Sequence, residues 1–177
     1  MKKLYGLLAV LAVMGLFGCG GPRIKAPTMA GGGSYSIAVL SDRGITPELG
    51  PDRSNQHNQV GEWMERDLLR MLKRAGYTPR LVSSRGEFAA GSGEYLLTVR
   101  MVRYNPGSKA ARMLVGFGAG ATSLDTHYEL YGASPQPLLA EDHGVGSSIE
   151  WTKVVQKLNQ QMVDAVSRKL AEGAGRG

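Results

Sequence analysis

The sequence predicts an α+β two-layer sandwich, in which two helices cover a mixed, mostly antiparallel sheet in the order β-α-β-β-β-β-α. Three observations carry this. Residues 60–75 and 151–170 repeat apolar side chains every three or four positions, so each is a helix with one apolar stripe. Several stretches between them alternate apolar and polar residues or are apolar on both faces, which is the pattern of strands. Helices with a single apolar stripe need a surface to cover, and the strands supply it. At 177 residues, less the leader discussed below, one domain is the natural size.

The first strand is Tyr35-Ser36-Ile37-Ala38-Val39-Leu40, followed by a turn-rich loop with Pro47, Gly50 and Pro51 that ends near Asn55. The first helix carries Val60, Met64, Leu68, Met71 and Ala75, widened by Trp63 and Leu72, and stops at Lys73-Arg74 and Gly76, which supply C-terminal charge and a cap. Tyr77 to Val82 continues as a strand. After a loop around 86–93, Tyr95 to Tyr104 is apolar on both faces and reads as the central strand. Leu124, Thr126, Tyr128 and Leu130 then alternate with Ser123, Asp125, His127 and Glu129, giving one buried and one wet face. A turn at Ser134, Pro135 and Pro137 returns the chain along 138–145 as an antiparallel partner. Ser147-Ser148-Ile149-Glu150 fits a capping box for the last helix, whose stripe is Trp151, Val155, Leu158, Met162, Val166 and Leu170.

The two ends differ from this body. Lys2 and Lys3 precede an apolar run, Leu4 to Phe17, too short to span a bilayer, for which about 20 residues are needed. A charged start, a short apolar core and small residues before a cleavage point describe an export signal. Leu16-Phe17-Gly18-Cys19 resembles the lipobox of bacterial lipoproteins, which implies cleavage before Cys19 and acylation, including palmitate, of that cysteine. Gly20 follows, not the aspartate that commonly retains such proteins at the inner membrane. The resemblance therefore implies the outer membrane, inner leaflet, facing the periplasm. The expected organisation is a signal peptide at 1–18, a lipidated flexible tether at 19–34 with Pro22, Pro27 and five glycines, the domain at 35–172, and a glycine-rich tail at 173–177.

Composition narrows the chemistry. Cys19 is the only cysteine, so once it is acylated disulfides, cysteine zinc sites and a thiol nucleophile are excluded. The net charge of +6 falls to +4 when Lys2 and Lys3 leave with the leader. From Arg66 to Arg112 there are ten Lys or Arg against three acids, whereas Met113 to Glu150 holds five acids and no Lys or Arg. A basic surface suits anionic envelope material such as lipid headgroups, and an exported protein is not expected to meet nucleic acid. A solvated helix face carrying Arg66, Arg70, Lys73 and Arg74 accounts for the same run.

Gly116-Phe117-Gly118-Ala119-Gly120-Ala121 has the Gly-x-Gly-x-x-Ala spacing of a dinucleotide fingerprint, with Glu141 twenty residues on. That mechanism needs a helix after the glycines, and a period-two strand follows instead, so no cofactor is expected. The glycines read as a bend that lets backbone pass close to another element. His127 and His143 come near one another if the last two strands form a hairpin, with Asp125, Glu129 and Glu141 alongside. This makes a small-ligand or metal-binding accessory role the alternative, against a plain polar sheet face, and no metal ligand is assigned. Gly-x-Ser-x-Gly is absent and no convergent catalytic set is visible, so the reading is not an enzyme.

Gly107 and Arg112, the segment Gly116 to Gly120, and the alternating strand through Tyr131-Gly132 together resemble the bacterial lipoprotein family known as domain of unknown function 4410. The likeness spans about residues 35–170 and implies a βα opening, this arginine and glycine segment, two strands and a closing helix. Arg112, Gly116, Phe117, Gly118 and Gly120 are thus signature positions or a contact surface, with no catalytic role to carry over. Ala133-Ser134-Pro135 departs from the turn of the family. The function expected is a non-enzymatic, lipid-anchored periplasmic domain with a binding or accessory role in cell-envelope assembly or maintenance. Its partners are the membrane, through Cys19, and an envelope protein reached by the sheet edge or the 113–121 segment.

Overall fold

A computed structural model describes residues 24–29, 32–108, 120–148 and 150–174. The elements are β1 (Ser36–Asp42), α1 (Pro51–Ala75), β2 (Thr78–Val82), a short 3-10 turn (Arg85–Glu87), β3 (Glu94–Asn105), β4 (Thr122–Tyr131), β5 (Leu139–Ser147) and α2 (Trp151–Ala174). They form one five-stranded sheet in the order β2-β1-β3-β4-β5, so the β-α-β-β-β-β-α sandwich holds. β1 pairs parallel with both β2 and β3, while β3-β4 and β4-β5 are antiparallel and form the longer ladders. β3 is central, as its two apolar faces require.

Both helices lie on one face. Val60, Met64, Leu68 and Leu72 of α1 meet Val155, Leu158, Met162 and Val166 of α2 over Ile37, Val39, Leu97, Val99, Leu124 and Tyr128. Two polar links cross this core. Asn159 donates to Asp67 Oδ2 at 2.9 Å and to the Met64 carbonyl at 3.1 Å, and Tyr77 donates to Ser167 at 2.9 Å. Arg70 closes the other oxygen of buried Asp67. The opposite face carries a second, smaller cluster of Ala38, Val82, Leu96 and Tyr131. Because β2 and β3 run the same way, the chain must return across the sheet between them, and Phe88 of that crossover packs on this cluster.

Two boundaries differ from the sequence reading. α1 begins at Pro51, within the stretch read as loop, because proline at the first helical position has a preset φ and lacks only an N–H that would be unbonded there. Its far end is capped as read: Gly76, at φ 109°, donates to Lys73, and Tyr77 to Leu72. At α2 the helix opens at Trp151, so Ser147, read as the cap, ends β5 and Glu150 directly precedes the helix. There the Glu150 carboxylate accepts from the Thr152 hydroxyl at 3.2 Å.

The sheet has two distinct ends. β1, β2, β3 and β5 point toward one, the far end, where loop 43–50 and residues 106–108, 120 and 121 lie. At the near end are the start of β1, the close of α1, the 132–138 turn and the last turns of α2 beside Tyr35, Tyr95 and Leu138. Part of the stretch expected to be free tether packs there. The Ala26 amide donates to the Ala75 carbonyl at 2.9 Å, Met29 lies against Gly93, and Ser34 bonds Thr78 at 2.8 Å. Among the described residues no helix is long and apolar enough to cross a membrane.

Candidate functional site

Strand alternation and register decide which polar residues meet. In the β4-β5 ladder His127 faces Asp142 and Thr126 faces His143, so the two histidines are one register step apart and lie on opposite faces of the sheet. The site that needed both is not assembled. Among the described residues no group of three His, Cys, Asp or Glu side chains is placed to hold a metal.

On the open face, His127 Nδ1 donates to Asp142 at 2.8 Å, and its Nε2 lies 3.7 Å from Glu129. Glu129 collects a hydrogen bond from Tyr131 at 2.8 Å, one from Thr98 at 3.4 Å, and Arg85 at 3.8 Å. The Tyr131 hydroxyl, ahead of the other neighbours, holds the Glu129 carboxyl below its usual range. Arg85 comes from the crossover and lies 4.3 Å above the Tyr131 ring, a cation–π contact. Asp42, Arg85, Thr98, Arg100, His127 and Glu129 line a shallow groove of about 330 Å³ here. It offers acceptors, donors and both signs of charge on a rigid sheet, which suits recognition of a polar partner. Sequence reading missed Arg85 and Tyr131, because only the crossover brings them together.

Under the helices, Tyr128 donates to Glu141 at 2.6 Å, and His143 Nε2 lies 2.8 Å from the same oxygen. Burial pushes the Tyr128 hydroxyl well up, and the Tyr128 hydrogen bond pulls Glu141 down. A fully buried tyrosine with its proton held by a carboxylate is a structural lock more than a proton donor.

A third assembly frames the glycine-rich segment. Gly107, at φ 74°, and Gly120, at φ 67°, sit back to back, so a Cβ on Gly107 would stand 2.3 Å from the Gly120 oxygen. Ser108 donates to that oxygen at 2.9 Å, Thr122 to the Pro106 carbonyl at 2.9 Å, and Gly107 to Asn105 Oδ1 at 3.0 Å. Residues 106–108 and 120–122 are thereby clasped together at the far end. Of the signature positions only Gly120 is described, at φ 67° with its carbonyl oxygen against Gly107. Cys19, Arg112, Gly116, Phe117 and Gly118 lie outside the described residues. The residues after the glycines are strand β4, so the dinucleotide context is not met.

The far end is also pinned through loop 43–50. Arg43 makes a bidentate pair with Glu65, 3.0 Å at each oxygen, and donates to Asn58 at 2.9 Å. That Glu65 hydrogen bond holds the Arg43 guanidinium above its ordinary pKa. His57 Nδ1 donates to the Arg43 carbonyl at 2.9 Å.

The family model described as Domain of unknown function (DUF4410) matches residues 46–169. Among solved structures, the dodecamer of a PelC variant from Paraburkholderia phytofirmans is similar with a TM-score of 0.50 at 13% identity, covering 81% of this chain and 92% of that one. An uncharacterized protein gives 0.43 at 14%, covering 82% and 95%. A neuraminyllactose-binding hemagglutinin homolog from Helicobacter pylori gives 0.41 at 10%, covering 90% and 94%. At these identities the likeness concerns the fold alone. No curated protein matches the sequence.

Proposed function

The chain belongs to the family described as domain of unknown function DUF4410, and from that premise we propose a non-enzymatic, lipid-anchored periplasmic protein that binds another envelope component. One observation supports the reading: residues 26 and 34 pack at the near end of the sheet, while Gly107 and Gly120 meet at the far end. An anchor on Cys19 then leaves the far end turned toward the periplasm, and Met113, Leu114, Val115 and Phe117 fall in the sequence between Gly107 and Gly120. The role is an accessory one in envelope assembly or maintenance, exercised from the inner leaflet of the outer membrane.

The test is in-cell crosslinking from a photoreactive residue at position 117, read with the mass of the N-terminus. One dominant adduct to an envelope protein, with Cys19 acylated, is the result expected. Assembly into a dodecamer belongs to the PelC structure, and adducts of this chain only with itself would replace the adaptor reading by a self-assembling one. An unmodified Cys19 would remove the anchor. The alternative accessory site for a metal loses its geometry with the histidines on opposite faces, and no observation now favours it.

A further inference from the structure

We infer that the outer flank of α1 at its C-terminal end, with the strap of residues 24–29, is the surface that lies on the bilayer, where it binds anionic phospholipid headgroups. The inference rests on the lipid-anchor reading and adds to it the orientation of the domain and the chemistry of the lipid.

Two shallow depressions adjoin on this flank. Leu69, Arg70, Lys73, Arg74 and Pro79 line one, between α1 and β2. The other, of about 150 Å³, lies between α1 and α2 and is lined by Ile24, Lys25, Met71, Arg74, Gln160 and Val163, with Arg74 common to both. The strip is therefore apolar at its floor and cationic at its rim through Lys25, Arg70, Lys73 and Arg74. Two acids are close. Asp67 is buried and closed by Arg70 and Asn159, and Asp164 accepts from Gln160 at 2.9 Å. This is the side-chain pattern of a membrane-surface contact, apolar stems beneath positive heads.

The chain outside the described region fixes what can cover it. Ile24 sits in the strip itself, and Cys19 precedes it by five residues. Five peptide steps reach at most about 18 Å. A free tether to Ser34 would let the domain drift beyond the headgroup field, but the bond from Ala26 to Ala75, seven residues after Cys19, together with Ile24 in the strip shortens the leash to five to seven steps. The field of anionic lipid falls off over about 8 Å at physiological salt, so an acyl anchor on Cys19 confines the cationic strip near the range where that field acts. The opposite loop, 43–50, is held at the far end of the sheet.

The experiment uses the full chain, made in cells and reconstituted in phosphatidylglycerol–phosphatidylethanolamine vesicles that contain a headgroup spin label. A fluorophore is placed at Thr78→Cys, beside the strip, or at Glu48→Cys, in the far loop. Strong quenching at position 78 and little at 48 is expected. Pure phosphatidylcholine, or Lys73→Glu with Arg74→Glu, should lower quenching at 78 by about fivefold or more, since each basic residue changes partitioning by about that factor. Acylated protein quenched equally at both positions, or indifferent to lipid charge, overturns the inference. Mass spectrometry keeps the two readings apart. If Cys19 is unmodified the anchor fails on its own, and sedimentation of the same chain with the anionic vesicles then decides the strip: binding lost on double reversal upholds it, and no binding overturns it.

Discussion

Gly107 shows how one residue carries a geometry. Its positive φ and the Gly120 oxygen 2.3 Å from any Cβ leave no room for a side chain, and the obstructing atom is backbone. Gly107→Ala should lower stability by about 2 kcal/mol, whereas Gly50→Ala, at φ −58° with open space, should stay within about 0.5 kcal/mol, both read from urea unfolding. Glu129 gives a pH signature. Its folded pKa is depressed, chiefly by Tyr131, so the stability it contributes is complete above the unfolded value of about 4.3 and is lost as pH falls through the lower folded value. Tyr131→Phe keeps the ring under Arg85 and removes the hydroxyl. It should cost about 1 kcal/mol at neutral pH, with the difference shrinking toward zero in acid; an unchanged difference at pH 3 would exclude the bond as its source. At this scale the sequence was legible where chemistry is local, as in the cap at Gly76. It was not legible where register decides. The pairing of Thr126 with His143 puts the two histidines on opposite faces, and no spacing of sixteen residues announces that.

Elements were read from periodicity, and periodicity served them well because both helices bury one stripe and leave the other wet. The start of α1 was missed because Pro47, Gly50 and Pro51 look alike as turn residues, although Pro51 alone opens a helix. The crossover after β2 carries no period at all, so its packing of Phe88 and Arg85 over the open face became visible only once the parallel direction of β2 and β3 was known. A bulge near Met101 and Arg103 leaves Val102 exposed on the central strand. Position 102 should therefore accept serine with a change within about 0.5 kcal/mol. Leu158→Ala, in the fully packed seam between α1 and α2, should lose about 3 kcal/mol in the same urea assay. A loss at 158 no larger than that at 102 would contradict the packing described.

For the whole molecule, the helical layer, the sheet and the crossover share one sheet, so no part buries its apolar face without the others. Unfolding should be a single cooperative event. The Trp63 and Trp151 rings, 5.7 Å apart and edge to face, report the helical layer in the near-ultraviolet circular dichroism. That signal should melt together with the far-ultraviolet band of the helices and strands, and its earlier loss would show that the layers come apart separately. The layer architecture was legible in the sequence, since alternating and 3.6-residue patterns determine which surfaces must pair. The two-ended arrangement was not. It depends on Ala26 lying against Ala75 and on Gly107 touching Gly120, contacts between segments that share no pattern.

β1 begins at the end where the chain enters and β3 finishes at the other, and the two are parallel neighbours from Ser36 opposite Glu94 to Asp42 opposite Arg100. Tension between the entry segment and the residues after Asn105 would pull β1 and β3 in opposite directions along their own axes. The ladder bonds would then be loaded together in shear, not unzipped one at a time from an edge. A protein held at one end and engaged at the other would so carry mechanical load on its strongest axis, and single-molecule extension from these two points should require more force than extension that peels β5 from β4.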